Sequence, residues 1–449
     1  MDALALTALP EDPPIAAAPA GTTAAKLLGT ASSKAAAVLM AGVTTILASR
    51  ALGPSGRGTY FVLVTLATTA TTVGHMSVEH AQIFLWSKAE QRPRLEANAV
   101  VLGVFIGLSA ALVAWAVTHT VYRAALPGSH GNMVVVVLAA IPIAMMSLYL
   151  NGILVLHGRI GRVNIGMLIS AVLQCAITAA LVGWGELTVP RAIAIWLIGV
   201  VVPFCVALSA VRPRFAKFSL PVAVREVGVG LRLHIGMVSL VLLYRVDVFL
   251  LNSRVSDAQL GLYSVAVVIA ELAFLITDSV AQVALPRQVT GPLDESGQLT
   301  ARLARTNLVG SVIVVVAIVS SSGVLIPVLF GRPFAGSFAA LVALCPGIIG
   351  LAVTRPVGGF LIRLGQPLRM SAVYASAMVL NVGLNLVLIP HFGIVGAALA
   401  SSAAYVALAV VNVSWLVRAG RLPLRTLVPM LGDIRDPMNA LTSRLRQRV

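Results

Sequence analysis

Charge is what this chain most conspicuously lacks. Only 11% of its 449 residues are Asp, Glu, Lys or Arg, against roughly 25% in a soluble protein. So little charge cannot cover a globule of this size against water, which excludes a soluble domain of any size. Acidic residues are the scarcer kind, 16 against 32 basic. Lysine is nearly missing, with only Lys26, Lys34, Lys88 and Lys217. That skew, beside abundant Ala, Val and Gly, points to a GC-rich genome and little else.

Other absences narrow the chemistry. Cys175, Cys205 and Cys345 are the only cysteines, and they lie in apolar stretches without pairing or metal-ligand spacing. They read as inert buried thiols. The chain has no Walker A loop, so it does not hydrolyse ATP itself. It has neither His-Glu-x-x-His nor Gly-x-Ser-x-Gly, and no large polar loop for a nucleotide-sugar site. No metal, no cofactor and no enzymatic activity are expected. The net charge of +16 does not imply nucleic acid, because the basic residues sit in short loops between apolar runs.

What is present is apolar sequence in runs of about 20 residues, the length that crosses a bilayer as a helix. The runs are continuous rather than alternating, and only helices and closed barrels satisfy their backbone in lipid. The expectation is an all-α polytopic membrane protein with about twelve spans. They are placed at 31–50, 60–86, 97–120, 132–156, 162–185 and 189–211, then at 229–252, 259–285, 306–330, 337–364, 368–389 and 394–418. This makes two six-helix lobes, 31–211 and 229–418, joined by a cytoplasmic linker, 212–228. Residues 1–30, with Asp2, Glu11, Asp12 and several prolines, do not resemble a secretory signal and are expected to form a disordered tail. Residues 419–449 are expected to be a basic cytoplasmic tail, either solvated or lying on the inner leaflet.

With both termini placed in the cytoplasm, 24 of the 32 basic residues fall on the cytoplasmic side and six outside. That is the positive-inside bias, and it supports an even number of spans. The halves also look duplicated. Ser49-Arg50 precedes Gly58-Thr59-Tyr60 where the first span hands over to the second. Ser253-Arg254 precedes Gly261-Leu262-Tyr263 where the seventh hands over to the eighth. A weaker match sets Pro142 and Asn151 beside Pro346 and Arg355, each pair nine apart. Repeated halves with a substrate site between them near mid-membrane are a transporter habit.

Charges inside a membrane helix cost several kcal/mol unless they face a cavity or a partner, so each is a candidate for function. In the second span His75 and Glu79, four apart, share a face. Glu79 could carry a proton, pair with a cationic substrate group, or be a hydrogen-bonded structural carboxyl. In the seventh span Arg245 and Asp247 are two apart and point to different sides. An Arg fork suits a pyrophosphate, the role expected of Arg245, with an inter-helix salt bridge as the alternative. For Asp247 the bridge is the expectation. Glu271 and Asp278 in the eighth span share a face, as residues seven apart do. Either is a candidate coupling carboxylate, or one neutralises an Arg. Arg355 in the tenth span precedes Pro356 and two glycines, a broken stretch of the kind that marks transporter sites, although Pro and Gly are frequent in membrane helices anyway.

Several segments resemble those of Wzx-type polysaccharide flippases, in the multidrug/oligosaccharidyl-lipid/polysaccharide exporter superfamily. These are Leu52-Gly-Pro-Ser-Gly-Arg-Gly-Thr-Tyr60, Tyr244-Arg-Val-Asp247, Leu260-Gly-Leu-Tyr-Ser-Val-Ala266 and Leu285-Pro-Arg287. Asn381-Val-Gly-Leu-Asn385, Leu388-Ile-Pro390 and Gly393-Ile-Val-Gly-Ala-Ala-Leu-Ala400 continue the likeness, which covers essentially the whole chain. The resemblance implies two lobes around a cavity that opens alternately to each side of the bacterial cytoplasmic membrane. It implies a polyprenyl-pyrophosphate-linked glycan as substrate, with membrane lipids and other polysaccharide-assembly proteins as partners. Arg245 and Arg355 would meet the pyrophosphate. Glu79, Asp247, Glu271 and Asp278 would be the candidates for ion coupling. The nearest rival is a drug antiporter of the same superfamily, whose expected acidic residue in the first helix is missing from 31–49. Lipid II flippases usually carry two further helices. A membrane enzyme of polysaccharide assembly would need a larger external loop than the dozen residues around 120–131.

Overall fold

The computed structural model describes the backbone of residues 20–120, 131–290 and 292–428. Side chains are described from residue 32 on, apart from 233, 235, 274–287, 289–290, 362, 367 and 424. Apart from four single 3-10 turns, the regular structure in these residues is α-helix. The helices are α1 (Ala20–Gly74), α2 (Val78–Leu85), α3 (Arg92–Thr120), α4 (Gly131–Ala139), α5 (Ile141–Leu156), α6 (Ile160–Gly183) and α7 (Val189–Val211). They continue with α8 (Leu220–Asn252), α9 (Asp257–Thr290), α10 (Leu293–Phe330), α11 (Ser337–Arg363) and α12 (Pro367–Ala419).

Two of these are double-length. An unbroken helix of the length of α1, 55 residues, would run about 80 Å, more than twice the ~30 Å hydrocarbon core. It is broken at Gly53, whose φ of 66° is left-handed, and Pro54 follows with no N–H to continue the ladder. The 53-residue α12 breaks likewise at Gly393, φ 54°, three residues after Pro390. α4 and α5 make one span across Ala140. The two parts of α8, Leu220–Arg232 and Gly236–Asn252, meet at 61° and together make another. Among the described residues eight helices, or nine with the bent α8, are long and apolar enough to cross a membrane, and α1 and α12 each cover two of the twelve expected spans, turning at a single glycine.

Helix ends depart from the apolar runs in one direction. α1 already starts at Ala20, so residues 20–30 are helical rather than a disordered tail, while 1–19 lie outside the described residues. α8 starts at Leu220 and takes up half of the expected linker. The connection expected at 286–305 is almost wholly helical in α9 and α10. The physical reason is that hydropathy marks the length buried in lipid, whereas a helix continues for as long as its backbone bonds can. Residues 429–449, most of the basic tail, lie outside the described residues.

In the first half α1 packs on α6 and α3, α3 on α5, and α7 on both α5 and α6. In the second half α11 packs on α9, α10 and α12, and α12 on α8. Large apolar side chains such as Leu39, Phe105, Leu112 and Val324 are exposed, as lipid-facing residues should be, while Asn98, Glu226, Asn381 and Asn385 are fully buried. The halves meet where α1 crosses α9. A Cβ on Gly58 would strike the carbonyl of Asp257, and one on Gly261 would strike the carbonyl of Pro54. Gly261 follows Gly58 by the same number of residues as Asp257 follows Pro54, so the contact is a two-fold one between the halves. Arg57 Nε donates to Ser264 Oγ (3.2 Å) and Thr59 Oγ1 to Asp257 Oδ2 (3.1 Å) across it.

Candidate functional site

Two cavities, one in each half, are lined by residues singled out in the sequence. The cavity of the second half, about 310 Å³, is lined by Tyr244, Arg245 and Asp247 of α8, Tyr263 and Glu271 of α9, Arg355 of α11 and Tyr405 of α12. It brings together four of the six residues singled out in the sequence. Of the other two, Glu79 lies in the first half, and the side chain of Asp278 falls outside the described residues.

Their pairing follows one expected alternative and departs from another. Arg245, expected to meet a pyrophosphate or else to form an inter-helix salt bridge, is in an ion pair with Glu271, Nη2 to Oε1 at 2.7 Å. The side chains are 30% and 45% exposed, so the pair contributes at most about 1 kcal/mol. Asp247, expected in a salt bridge, is met instead by hydroxyls. Its Oδ2 accepts from Tyr263 Oη and from Ser401 Oγ (3.1 Å), and its Oδ1 from its neighbour's N–H, Val248 (2.8 Å). The chain of bonds continues inward. Asn381 Nδ2 donates to Ser401 Oγ (3.2 Å), and Asn385 Nδ2 to Asn381 Oδ1 (2.9 Å). Rotation of α8 explains the exchange: Asp247 is turned toward α12 and Arg245 toward the open cavity. Arg355 lies over the Tyr244 ring at 5.9 Å, and Tyr244 meets Tyr405 edge to face at 5.6 Å. The walls are thus arginine and tyrosine, two side chains that stack and donate hydrogen bonds.

The cavity of the first half, about 440 Å³, is lined by Thr71, Thr72, His75 and Glu79 with Ser147 and Asn151 of α5. It lies beside a strained break. Met76 and Ser77, between α1 and α2, both take a left-handed φ of 50°, which costs of order 1–2 kcal/mol per non-glycine residue. Neighbours hold the break in place. Tyr149 Oη donates to the carbonyl of His75 (2.7 Å), and His234 Nε2 donates to the carbonyl of Val73 (2.7 Å). Strain that the surroundings over-determine clusters at functional sites.

Glu79, just beyond the break, has a histidine on each oxygen: His75 Nδ1 at 3.1 Å from Oε2 and His80 Nδ1 at 2.8 Å from Oε1. His75 Nδ1 is also 3.1 Å from the N–H of Ser77. One ring nitrogen cannot accept from Ser77 and donate to Glu79 at once. Nδ1 therefore serves one of the two at a time, according to the tautomer.

Five buried residues in or beside these sites were not singled out from the sequence as site residues: Tyr149, Tyr263, Asn381, Asn385 and Ser401. Polar residues four apart in an apolar run, as Asn381 and Asn385 are, were the available signal.

No protein-family model and no curated protein sequence matches the chain. Solved structures do match it. An inward-facing multidrug resistance MATE family transporter of the MOP superfamily aligns with a TM-score of 0.69 at 16% identity, over 87% of this chain and 94% of that one. The lipid II flippase MurJ, in an inward closed conformation, aligns with a TM-score of 0.67 at 12% identity, over 89% of each. A MOP superfamily transporter from Pyrococcus furiosus, described as having a binding pocket of reversed polarity, aligns at 0.59 and 16% identity over 88% and 95%. At these identities the likeness is one of fold, and this chain has the fold of the MOP superfamily transporters.

Proposed function

We propose that the protein is a transporter, not an enzyme, and that it moves a polyprenyl-pyrophosphate-linked oligosaccharide across the bacterial cytoplasmic membrane for cell-surface polysaccharide assembly. Both termini would lie in the cytoplasm, as the basic residues are distributed, with other polysaccharide-assembly proteins as partners. The observation that carries this reading is the second-half cavity, where Arg245 and Arg355 stand among three tyrosines. Paired forks suit a pyrophosphate, and aromatic faces suit sugar rings. The fold shared with a lipid flippase supports the same reading.

The Arg245–Glu271 pair gives the mechanism its coupling. A pyrophosphate entering the cavity competes with Glu271 for the guanidinium. Protonation of Glu271 frees Arg245 to take the anion, and loss of that proton returns the arginine to its partner and expels the anion. Asp247, Glu79 and Asp278 remain coupling candidates. The lipid tail stays in the bilayer while the head group crosses.

A second reading, an ion-coupled antiporter of cationic small molecules, draws on the MATE transporters that share the fold and on Glu79 in the first-half cavity. Liposomes holding the purified protein separate the two. Translocation of a labelled polyprenyl-pyrophosphate oligosaccharide should occur in wild type, respond to an imposed proton gradient, and be lost in Arg245→Ala and Arg355→Ala. Uptake of a cationic dye that survives both substitutions, with no lipid movement, would leave the antiporter standing instead.

A further inference from the structure

Glu226 belongs to neither cavity. It lies in the first part of α8, within the stretch expected from sequence to be a cytoplasmic linker, and it is completely buried. Its Oε1 accepts from Asn98 Nδ2 at 2.8 Å. Its Oε2 is buried without a hydrogen-bond partner among the described residues. Within reach of it is Gln82 of α2, also completely buried, whose amide has no other hydrogen-bond partner among the described residues. A lone buried carboxylate costs several kcal/mol unless a cation compensates it. Glu79, Glu96, Glu186 and Glu271 each have a His or Arg within 3.1 Å. No ion pair reaches Glu226 among the described residues.

The titratable groups on the surrounding elements do not change this. On α8 itself Arg225 and Arg232 are exposed. On α3 Arg94 is exposed, Glu96 is taken by His157 (2.9 Å), and Arg92 donates to the carbonyl of Trp86 (3.1 Å). On α2 Glu79 is held by its histidines one turn before Gln82, and on α5 Tyr149 bonds to His75.

We propose that Glu226, with Gln82 and Asn98, is a proton-binding site, its carboxyl neutral and donating to Gln82 while Asn98 donates to it. The three residues suit that one ligand. Neutral Glu226 donates its Oε2–H to Gln82 Oε1. When the proton leaves to water, the same amide turns over and donates Nε2–H to the carboxylate. Gln82 has no partner other than Glu226 among the described residues, so it can answer either state, whereas Asn98 is anchored by Ser219, whose N–H donates to Asn98 Oδ1 at 3.1 Å. A metal ion would want a shell of oxygens, and here the amide N–H of Asn98 points into the site. The place also matters. This part of α8 is docked on the first half, where a Cβ on Gly230 would strike the carbonyl of Met76 and where Ser77 Oγ donates to His234 Nδ1 (3.1 Å). The remainder of α8, past the 61° bend, carries Asp247 into the second half. The helix that joins the halves thus has, on each side of its bend, a buried carboxyl that no ion pair reaches among the described residues.

The test does not depend on which substrate is moved. Infrared difference spectra of the full-length protein in lipid vesicles report neutral carboxyls through their C=O stretch. Wild type at neutral pH should show a band that is lost in Glu226→Gln, is shifted to higher frequency in Gln82→Leu, and disappears on alkalinisation. Unchanged thermal unfolding of Glu226→Gln would show that the loss is local, since glutamine keeps the shape. Should that variant not fold, the shift in Gln82→Leu decides. A spectrum with no band lost in Glu226→Gln and none shifted in Gln82→Leu would mean an ionised carboxylate and overturn the proposal. So would a band that sodium abolishes at constant pH, which would make the site one for a metal ion.

Discussion

The two halves of the molecule agree where they touch and disagree where they are lined. At the crossing of α1 and α9 the contact is two-fold to the residue, Gly58 against Asp257 and Gly261 against Pro54. In the cavities nothing repeats. The first half presents a carboxylate between two histidines, and the second a carboxylate among hydroxyls with a separate arginine–glutamate pair. A contact shared symmetrically by two halves is constrained, since a change there acts on both, while each cavity is free to acquire its own chemistry. Histidine and carboxylate suit proton handling in the one, and arginine with tyrosine suits an anion in the other.

The sharpest way to break the symmetric part of this comparison is to put a methyl group on each glycine. In Gly58→Ala and Gly261→Ala the new Cβ meets backbone rather than a side chain that could swing away. Each should cost about 1–3 kcal/mol, as overpacking does, and the two costs should be equal. Thermal unfolding in nanodiscs measures both. Markedly unequal shifts would show that the crossing is not a true two-fold contact.

The lining can be tested next, one carboxylate in each half. Asp247→Ala leaves the buried Tyr263 and Ser401 hydroxyls without their acceptor, and orphaned buried groups cost about 1–3 kcal/mol each. Glu79→Ala should cost less, because His75 keeps the N–H of Ser77 and His80 is half exposed. Denaturation of both variants should therefore rank Asp247→Ala the less stable. The reverse order would mean that the strained break at Met76 and Ser77 depends on Glu79 more than on Tyr149 and His234.

Most of the architecture was legible because bilayer thickness fixes span length, and membrane charges are too costly to be accidental. Arg245, Asp247, Glu271 and Arg355 stood out for that reason, and the structure places all four around one cavity. Their pairing was not legible, because it depends on how α8 is rotated against α9 and α12, and sequence spacing within one helix does not set that. Glu226 went unnoticed for another reason. It follows Arg225 in a stretch whose charges read as a loop, and only the packing of α8 on α2 and α3 shows that the helix already runs there. Gly53 and Gly393 show the converse: turns were expected near them, but not that a single residue makes each.

The smallest expected effect in stability is also the one that best separates structure from function. Arg245 and Glu271 are 30% and 45% exposed, so a double-mutant cycle of Arg245→Ala and Glu271→Ala should give a coupling energy below about 1 kcal/mol. A structural bridge would lose stability with either partner and recover it when both are gone. An anion site would behave differently. Arg245→Ala would unfold like wild type yet fail to move a pyrophosphate lipid. Glu271→Gln, which frees the guanidinium permanently, would bind that lipid more tightly and release it more slowly, losing its response to a proton gradient. Binding by a labelled lipid analogue and flipping in liposomes read these two quantities separately. If Glu271→Gln flips at the wild-type rate with the gradient response intact, then Glu271 is not the coupling carboxylate, and the proton passes elsewhere, with Glu79 and Asp247 next in line.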